Sequence, residues 1–78
     1  MRIDDLTTLL TVARTRNFSQ AAKELKTSQG TVSNHISALE EQFETKLFER
    51  TANGVEVTET GLILIETAKQ ILQETQDA

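Results

Sequence analysis

Only two residues, Lys26 and Thr27, separate two stretches whose apolar side chains recur at helical spacing. In the second stretch Val32, Ile36, Leu39 and Phe43 fall at i, i+4, i+7 and i+11, which is one face of a helix, and Ser28 stands ahead of them as an N-cap. In the first, Ala21, Ala22 and Leu25 face inward from a short helix that Ser19 is placed to cap. Two helices joined this tightly predict a helix-turn-helix. Before them, Leu6, Leu9, Leu10 and Ala13 mark a helix from Asp4 to about Arg14. Asp4 and Asp5 suit its positive N-terminal end, and Arg14 and Arg16 its C-terminal end. Asn17-Phe18-Ser19 interrupts that pattern.

After Lys46 the texture changes. Two short runs, Leu47 to Arg50 and Val55 to Val57, flank Thr51-Ala52-Asn53-Gly54. Asn-Gly between apolar runs is a strong hairpin signal, because both residues tolerate positive φ. Two strands are unstable alone and must lean on the helices, so the hairpin reads as a wing. Thr58 then caps a last helix from Glu59 to about Thr75. Leu62, Ile65, Ala68 and Leu72 form its stripe, and Ile63, Leu64 and Ile71 widen that stripe beyond what so small a domain can cover. A second copy of the chain is the expected cover, with Leu62, Ile63, Ile65, Ala68, Ile71 and Leu72 at the dimer interface. The fold class is therefore mainly α: a winged helix-turn-helix over residues 1–58, with a three-helix core and a two-stranded wing, and a long dimerisation helix over 59–78.

At 78 residues the chain is near the lower limit for a self-sufficient core, and it has no Cys to staple it. A single His makes no metal site, so neither metal nor another cofactor is expected. The same poverty of Cys, His and Gly-rich loops leaves no catalytic constellation to assemble, and no enzyme is expected. There is no basic-then-apolar leader, and Leu62 to Ile65, the longest apolar run, is far too short to span a bilayer. The expectation is a soluble cytoplasmic domain with no membrane partner. Net charge is −4, which weighs against nucleic-acid binding. But residues 1–57 carry seven cations against eight acids, whereas residues 58–78 carry one against four. Most of the acidity can point away from DNA.

The face of the second helix opposite its apolar stripe holds Gly30, Thr31, Asn34, Ser37 and Ala38, with Gln29 in the first turn. A merely solvated face usually carries Lys and Glu. Asn and Gln can pair with adenine, Ser and Thr with several bases, and small residues let a helix lie close in the major groove. Glu40, Glu41 and Glu44 at the far end are expected to be solvated or paired within the chain, and they would repel DNA if they lay against it, so the helix should enter by its N-terminal end. Lys23, Lys26, Lys46 and Arg50 surround it. For Arg50 the plain alternative is a surface pair with Glu49 or Glu56. His35, at the flank of the helix, is expected to be packed or hydrogen-bonded rather than to meet phosphate.

NFSQAAKEL, TSQGTVSNHISALEEQF, KLFERTANGVEVTETG and the closing helix with AKQIL resemble the N-terminal DNA-binding domain of LysR-type transcriptional regulators. The resemblance runs from Leu6 to Leu72. It implies a homodimer whose two recognition helices enter successive major grooves of an inverted-repeat site. It also implies that an effector-binding domain, usual after the last helix in this family, is absent from this chain. By position, Ser28, Gln29 and Ser33 match the recognition-helix signature, and Arg50 matches the wing arginine. The family commonly has Pro or Ser at Gly30, Arg at Asn34, a basic residue at Ser37 and Arg or Lys at Asn53. Each departure removes a cation or a stiffening residue.

Double-stranded DNA is thus the expected partner. Gln29, Thr31, Ser33, Asn34 and Ser37 are expected nearest base edges, with Gly30 allowing close approach. Ser19, Gln20, Lys23, Ser28, Arg50 and Asn53 are expected at phosphate or the minor groove. The rivals are the related winged helix of molybdate-responsive regulators and a winged helix that binds protein through its acidic surface.

Overall fold

The innermost side chains are Leu6, Leu9, Val12, Val32, Leu39 and Leu47, and they come from two helices and the approach to the wing. The computed structural model describes the backbone of residues 2–77 and the side chains of residues 2–73. Its elements are α1 (Ile3–Thr15), α2 (Phe18–Leu25), α3 (Gln29–Phe43), β1 (Phe48–Thr51), β2 (Gly54–Val57) and α4 (Glu59–Asp77). The strands form an antiparallel hairpin, with Phe48 opposite Val57 and Arg50 opposite Val55. This is the expected winged helix-turn-helix with a long last helix. The side chains of Glu74 and Asp77, part of the acidic tail, and residues Met1 and Ala78 lie outside the described residues.

Helix α1 is the hub, packed against α2, α3 and α4. Its inward face is centred on Leu6, Leu9 and Val12, with Asp5 and Thr8 also buried, while Leu10 and Ala13 are only partly covered. The face is therefore rotated by a fraction of a turn from the one that Leu6, Leu9, Leu10 and Ala13 suggest. Helix α2 starts earlier than expected. Its N-cap is Asn17, whose side chain accepts the Gln20 N–H at 3.0 Å, so Ser19 is an exposed helical residue and not the cap. Asn caps as well as Ser, and this start brings Phe18 into the helix and into the core. In α3 the Ser28 cap is as expected, with Thr31 N–H donating to its Oγ at 3.1 Å. Phe43, by contrast, is 42% exposed: the apolar stripe of α3 outruns the surface that covers it.

Three helices end on a charged residue in the left-handed region: Arg16 (φ 54°), Lys26 (φ 57°) and Glu44 (φ 52°). Arg16 closes α1 with its N–H on Val12 O, and its own carbonyl then accepts the Val55 N–H at 3.3 Å. That bond docks the wing on the end of α1. At the wing tip the positive φ falls on Gly54 (121°) alone, and Asn53 does not share it. A Cβ at Gly54 would stand 3.1 Å from Arg16 O, so the glycine also permits the docking.

The chain between α3 and α4 is held by Glu40, whose Oε2 accepts the Leu47 N–H at 2.8 Å and the Phe48 N–H at 3.4 Å. Thr58 N–H donates to Leu47 O, Thr58 Oγ1 donates to Lys46 O at 2.6 Å, and the same Oγ1 accepts the Gly61 N–H and so caps α4. Gly61 lies against this crossing, where a Cβ would fall 2.3 Å from Leu47 O. Gly61→Ala is expected to destabilise the domain by about 1–3 kcal/mol, the usual range for overpacking. Gly30→Ala, whose Cβ would meet only Ser28 Oγ at 3.9 Å, is expected to be neutral or to stabilise by up to about 1 kcal/mol. Urea melts of the two variants should shift in opposite directions or differ by at least that gap.

Candidate nucleic-acid interface

The capping bond of Ser28 aims the first turn of α3 outward. Ser28, Gln29, Gly30, Asn34, Ser37 and Ala38 are exposed, and Thr31 and Ser33 are half-buried. The Thr31 hydroxyl is engaged with Ser28 Oγ at 2.9 Å, which ties it to the cap. Beside this face runs a cleft of about 550 Å³ between α3 and the wing, lined by Ser33, Ser37, Lys46 and Arg50 together with Glu40 and Glu49, above a floor of Phe18, Ile36 and Phe48. A second depression joins Ser19, Gln29 and Arg50 near the wing tip. Arg50 borders both, so the wing and the start of α3 present a common surface.

The remaining expected contacts lie around that surface. Asn53 is exposed at the wing tip, its N–H donating to Thr51 Oγ1 at 3.2 Å. Lys23 is exposed on α2, away from both depressions. Gln20 shares a hydrogen bond with Glu24, whose carboxylate is also gripped by Arg14. The Arg14 hydrogen bond holds the Glu24 carboxyl below the usual carboxylate range and raises Arg14 in turn. Arg50 makes no ion pair among the described residues, which disposes of the Glu49 or Glu56 pairing. Its guanidinium instead lies over the Phe18 ring, 4.7 Å from the centroid. Spacing gave no hint of Phe18, because it falls where the helical pattern breaks, and none of Glu40 as a backbone acceptor.

Residues 3–62 match the lysR family of bacterial regulatory helix-turn-helix proteins. The chain belongs to that family. An uncharacterized HTH-type transcriptional regulator of Methanocaldococcus jannaschii is 47% identical over 77 residues, 99% of this chain and 26% of the relative. A hydrogen peroxide-inducible genes activator of Pectobacterium carotovorum is 40% identical over 76 residues, 97% of this chain and 25% of the relative. The chain thus spans about a quarter of the length of these curated relatives. A crystal structure of a CbnR DBD–DNA complex superposes with a TM-score of 0.93 at 32% identity, covering 99% of this chain and 88% of that one. A BenM DBD complex with catB site 1 DNA gives 0.93 at 27% identity, covering 99% and 86%. The chain is a LysR-type helix-turn-helix DNA-binding domain, which decides against the molybdate-responsive alternative.

Two further features of this LysR-type domain differ from, or refine, the sequence reading. The apolar residues of α4 are divided. Ile65 (6% exposed) and Ala68 (0%) enter the protomer's own core, so they are corrected from dimer contacts to core residues. A helix packed on α1 must turn one side inward before any partner can meet it. Leu62 (56%) and Ile63 (67%) remain exposed, and Ile71 and Leu72 are half-buried. Among the described residues no helix is long and apolar enough to cross a membrane.

His35 ties α3 to α1. Its Nδ1 lies 2.8 Å from Thr8 Oγ1, which also donates to Asp4 O at 2.9 Å. The hydroxyl has one proton and a carbonyl can only accept, so both bonds persist only if the imidazole donates from Nδ1. The neutral His35 is therefore expected as the Nδ1–H tautomer in nitrogen-15 imidazole spectra, and Thr8→Val should abolish that preference. A dominant Nε2–H form in the wild type would refute the assignment.

Proposed function

We propose that this domain reads double-stranded DNA in a sequence-specific way, as a homodimer on an inverted-repeat operator. The observation that carries the reading is the open, small and uncharged face of α3 beside the Arg50 edge of the wing. Gln29, Thr31, Ser33, Asn34 and Ser37 are assigned to base edges, Thr31 with its hydroxyl partly committed to the cap. Ser19, Gln20, Lys23, Ser28, Arg50 and Asn53 are assigned to phosphate or the minor groove. Base readout and phosphate anchoring are separable tasks, so a helix without Lys or Arg can still specify sequence. The positive N-terminal end of α3 favours entry by that end, and Glu41 and Glu44 stay outside. Leu62 and Ile63, exposed on α4, are assigned to the second copy. Residues 1–58 then bind DNA and 59–78 link the two protomers. The role is regulatory and non-catalytic, and the working compartment is the cytoplasm.

Selection of duplexes from a random pool at two salt concentrations tests this, and an enriched inverted repeat is the expected product. No enrichment and no duplex binding at low salt would favour the protein-binding alternative. On the enriched duplex, Asn34→Ala should lose about 1–3 kcal/mol of discrimination at particular base pairs. Arg50→Ala should instead weaken all sequences alike and reduce the salt slope by about one per subunit. With so few cations on the face, the wild-type salt dependence should be shallow. A slope matching about ten neutralised phosphates per dimer would contradict that.

A further inference from the structure

We propose that Phe18 is a positioning residue for the wing arginine. Its ring holds the Arg50 guanidinium over the depression shared by Ser19 and Gln29, where it is ready to meet a phosphate oxygen. The inference rests on the reading above that Arg50 contacts DNA.

The pleat of the hairpin is the first part of the argument. Side chains alternate along a strand, so Phe48 and Arg50 share one face with their opposite residues Val57 and Val55. Phe48 and Val55 are buried, which identifies this as the helix-facing side. Glu49 and Glu56, opposite each other, stand on the other side. Arg50 is thus directed toward the helices, on the face opposite the one that the pleat gives Glu49 and Glu56, although its side chain remains exposed and Glu49 also borders the cleft beside α3.

The ring is the second part. Phe18 is the first residue of α2, fixed by the Asn17 cap and nearly buried, and it meets Phe48 edge-on at 82° with centroids 6.5 Å apart. It is a rigid platform. The Arg50 Cζ sits 4.7 Å above it, within cation–π range. An aromatic face attracts a cation without neutralising it. The guanidinium therefore keeps its full charge, and no hydrogen bond to a described residue occupies its donors. A carboxylate partner would have had to be displaced by phosphate, and an untethered arginine would have had to lose its rotamer freedom on binding.

The test combines proton spectra of the free domain with a double-mutant cycle on the selected inverted-repeat duplex. Arg50 side-chain protons should show an upfield ring-current shift in the wild type, retained in Phe18→Tyr and lost in Phe18→Leu. Phe18→Leu should weaken duplex binding about two- to fivefold when Arg50 is present, as expected for an exposed cation–π contact, and not at all beside Arg50→Ala. Should Phe18→Leu not fold, the ring-current shift of the wild type and its retention in Phe18→Tyr carry the test. A missing ring-current shift, or an equal loss in both Arg50 backgrounds, would overturn the inference. Those results leave the DNA-binding reading standing, whereas failure of the wild-type domain to bind any duplex would end both.

Discussion

The peptide groups around Leu47 fix the relation between helices and wing. On one side, a single carboxylate, Glu40 of α3, takes the Leu47 and Phe48 N–H groups. On the other, the carbonyls of Lys46 and Leu47 are taken by Thr58 through its hydroxyl and its N–H. The Leu47 side chain is fully buried, and Gly61 closes the underside by having no Cβ. The end of α3, the first strand and the start of α4 therefore meet at one crossing. Backbone groups removed from water need partners, and here they are supplied by Glu40 of α3 and by Thr58, the cap of α4. The wing has a second attachment at its far strand, through Arg16 O and the Val55 N–H. Held at both strands, a hairpin too small to be stable alone becomes a fixed part of the surface.

Much of this was legible in the chain, and the failures share a cause. Periodicity located all four helices, and the Ser28 and Thr58 caps were readable because Ser and Thr each precede a clean helical repeat. Asn17 was missed because Ser19, two residues on, is an equally suitable cap, and only the burial of Phe18 chooses between them. Phe43 and the assignment of Ile65 and Ala68 to a partner differ for a related reason. A helical wheel gives the angle of a side chain but not whether a neighbour extends far enough to cover it. So Phe43 is left outside, while Ile65 and Ala68 lie inside against α1. Within the candidate site, the exposed face of α3 follows from spacing alone. The surroundings of Arg50 do not, because they depend on which face of the hairpin looks inward and on an aromatic ring 32 positions earlier in the sequence.

Charge is distributed in the same divided manner. The exposed face at the start of α3 carries no charge, the cations stand around it, and four of the acids lie beyond residue 57. A net charge of −4 is therefore a poor guide to the potential at any one surface, since exposed charges farther apart than about a Debye length, ~8–10 Å, are largely screened from each other. The position of Glu40 makes the same point at short range. It is one of three glutamates near the end of α3, but it serves the backbone, whereas Glu41 and Glu44 are exposed.

The left-handed endings of α1, α2 and α3 show where this domain has unused stability. Arg16, Lys26 and Glu44 each adopt a backbone that glycine adopts freely and that an L side chain enters at roughly 1 kcal/mol. Glycine at all three would strengthen the fold, yet at two of them it would delete a cation from a domain that has only eight. The chain sits below the stability its topology permits. At Arg16 and Lys26, the positions easiest to improve for folding are ones where improvement would leave the molecule more acidic.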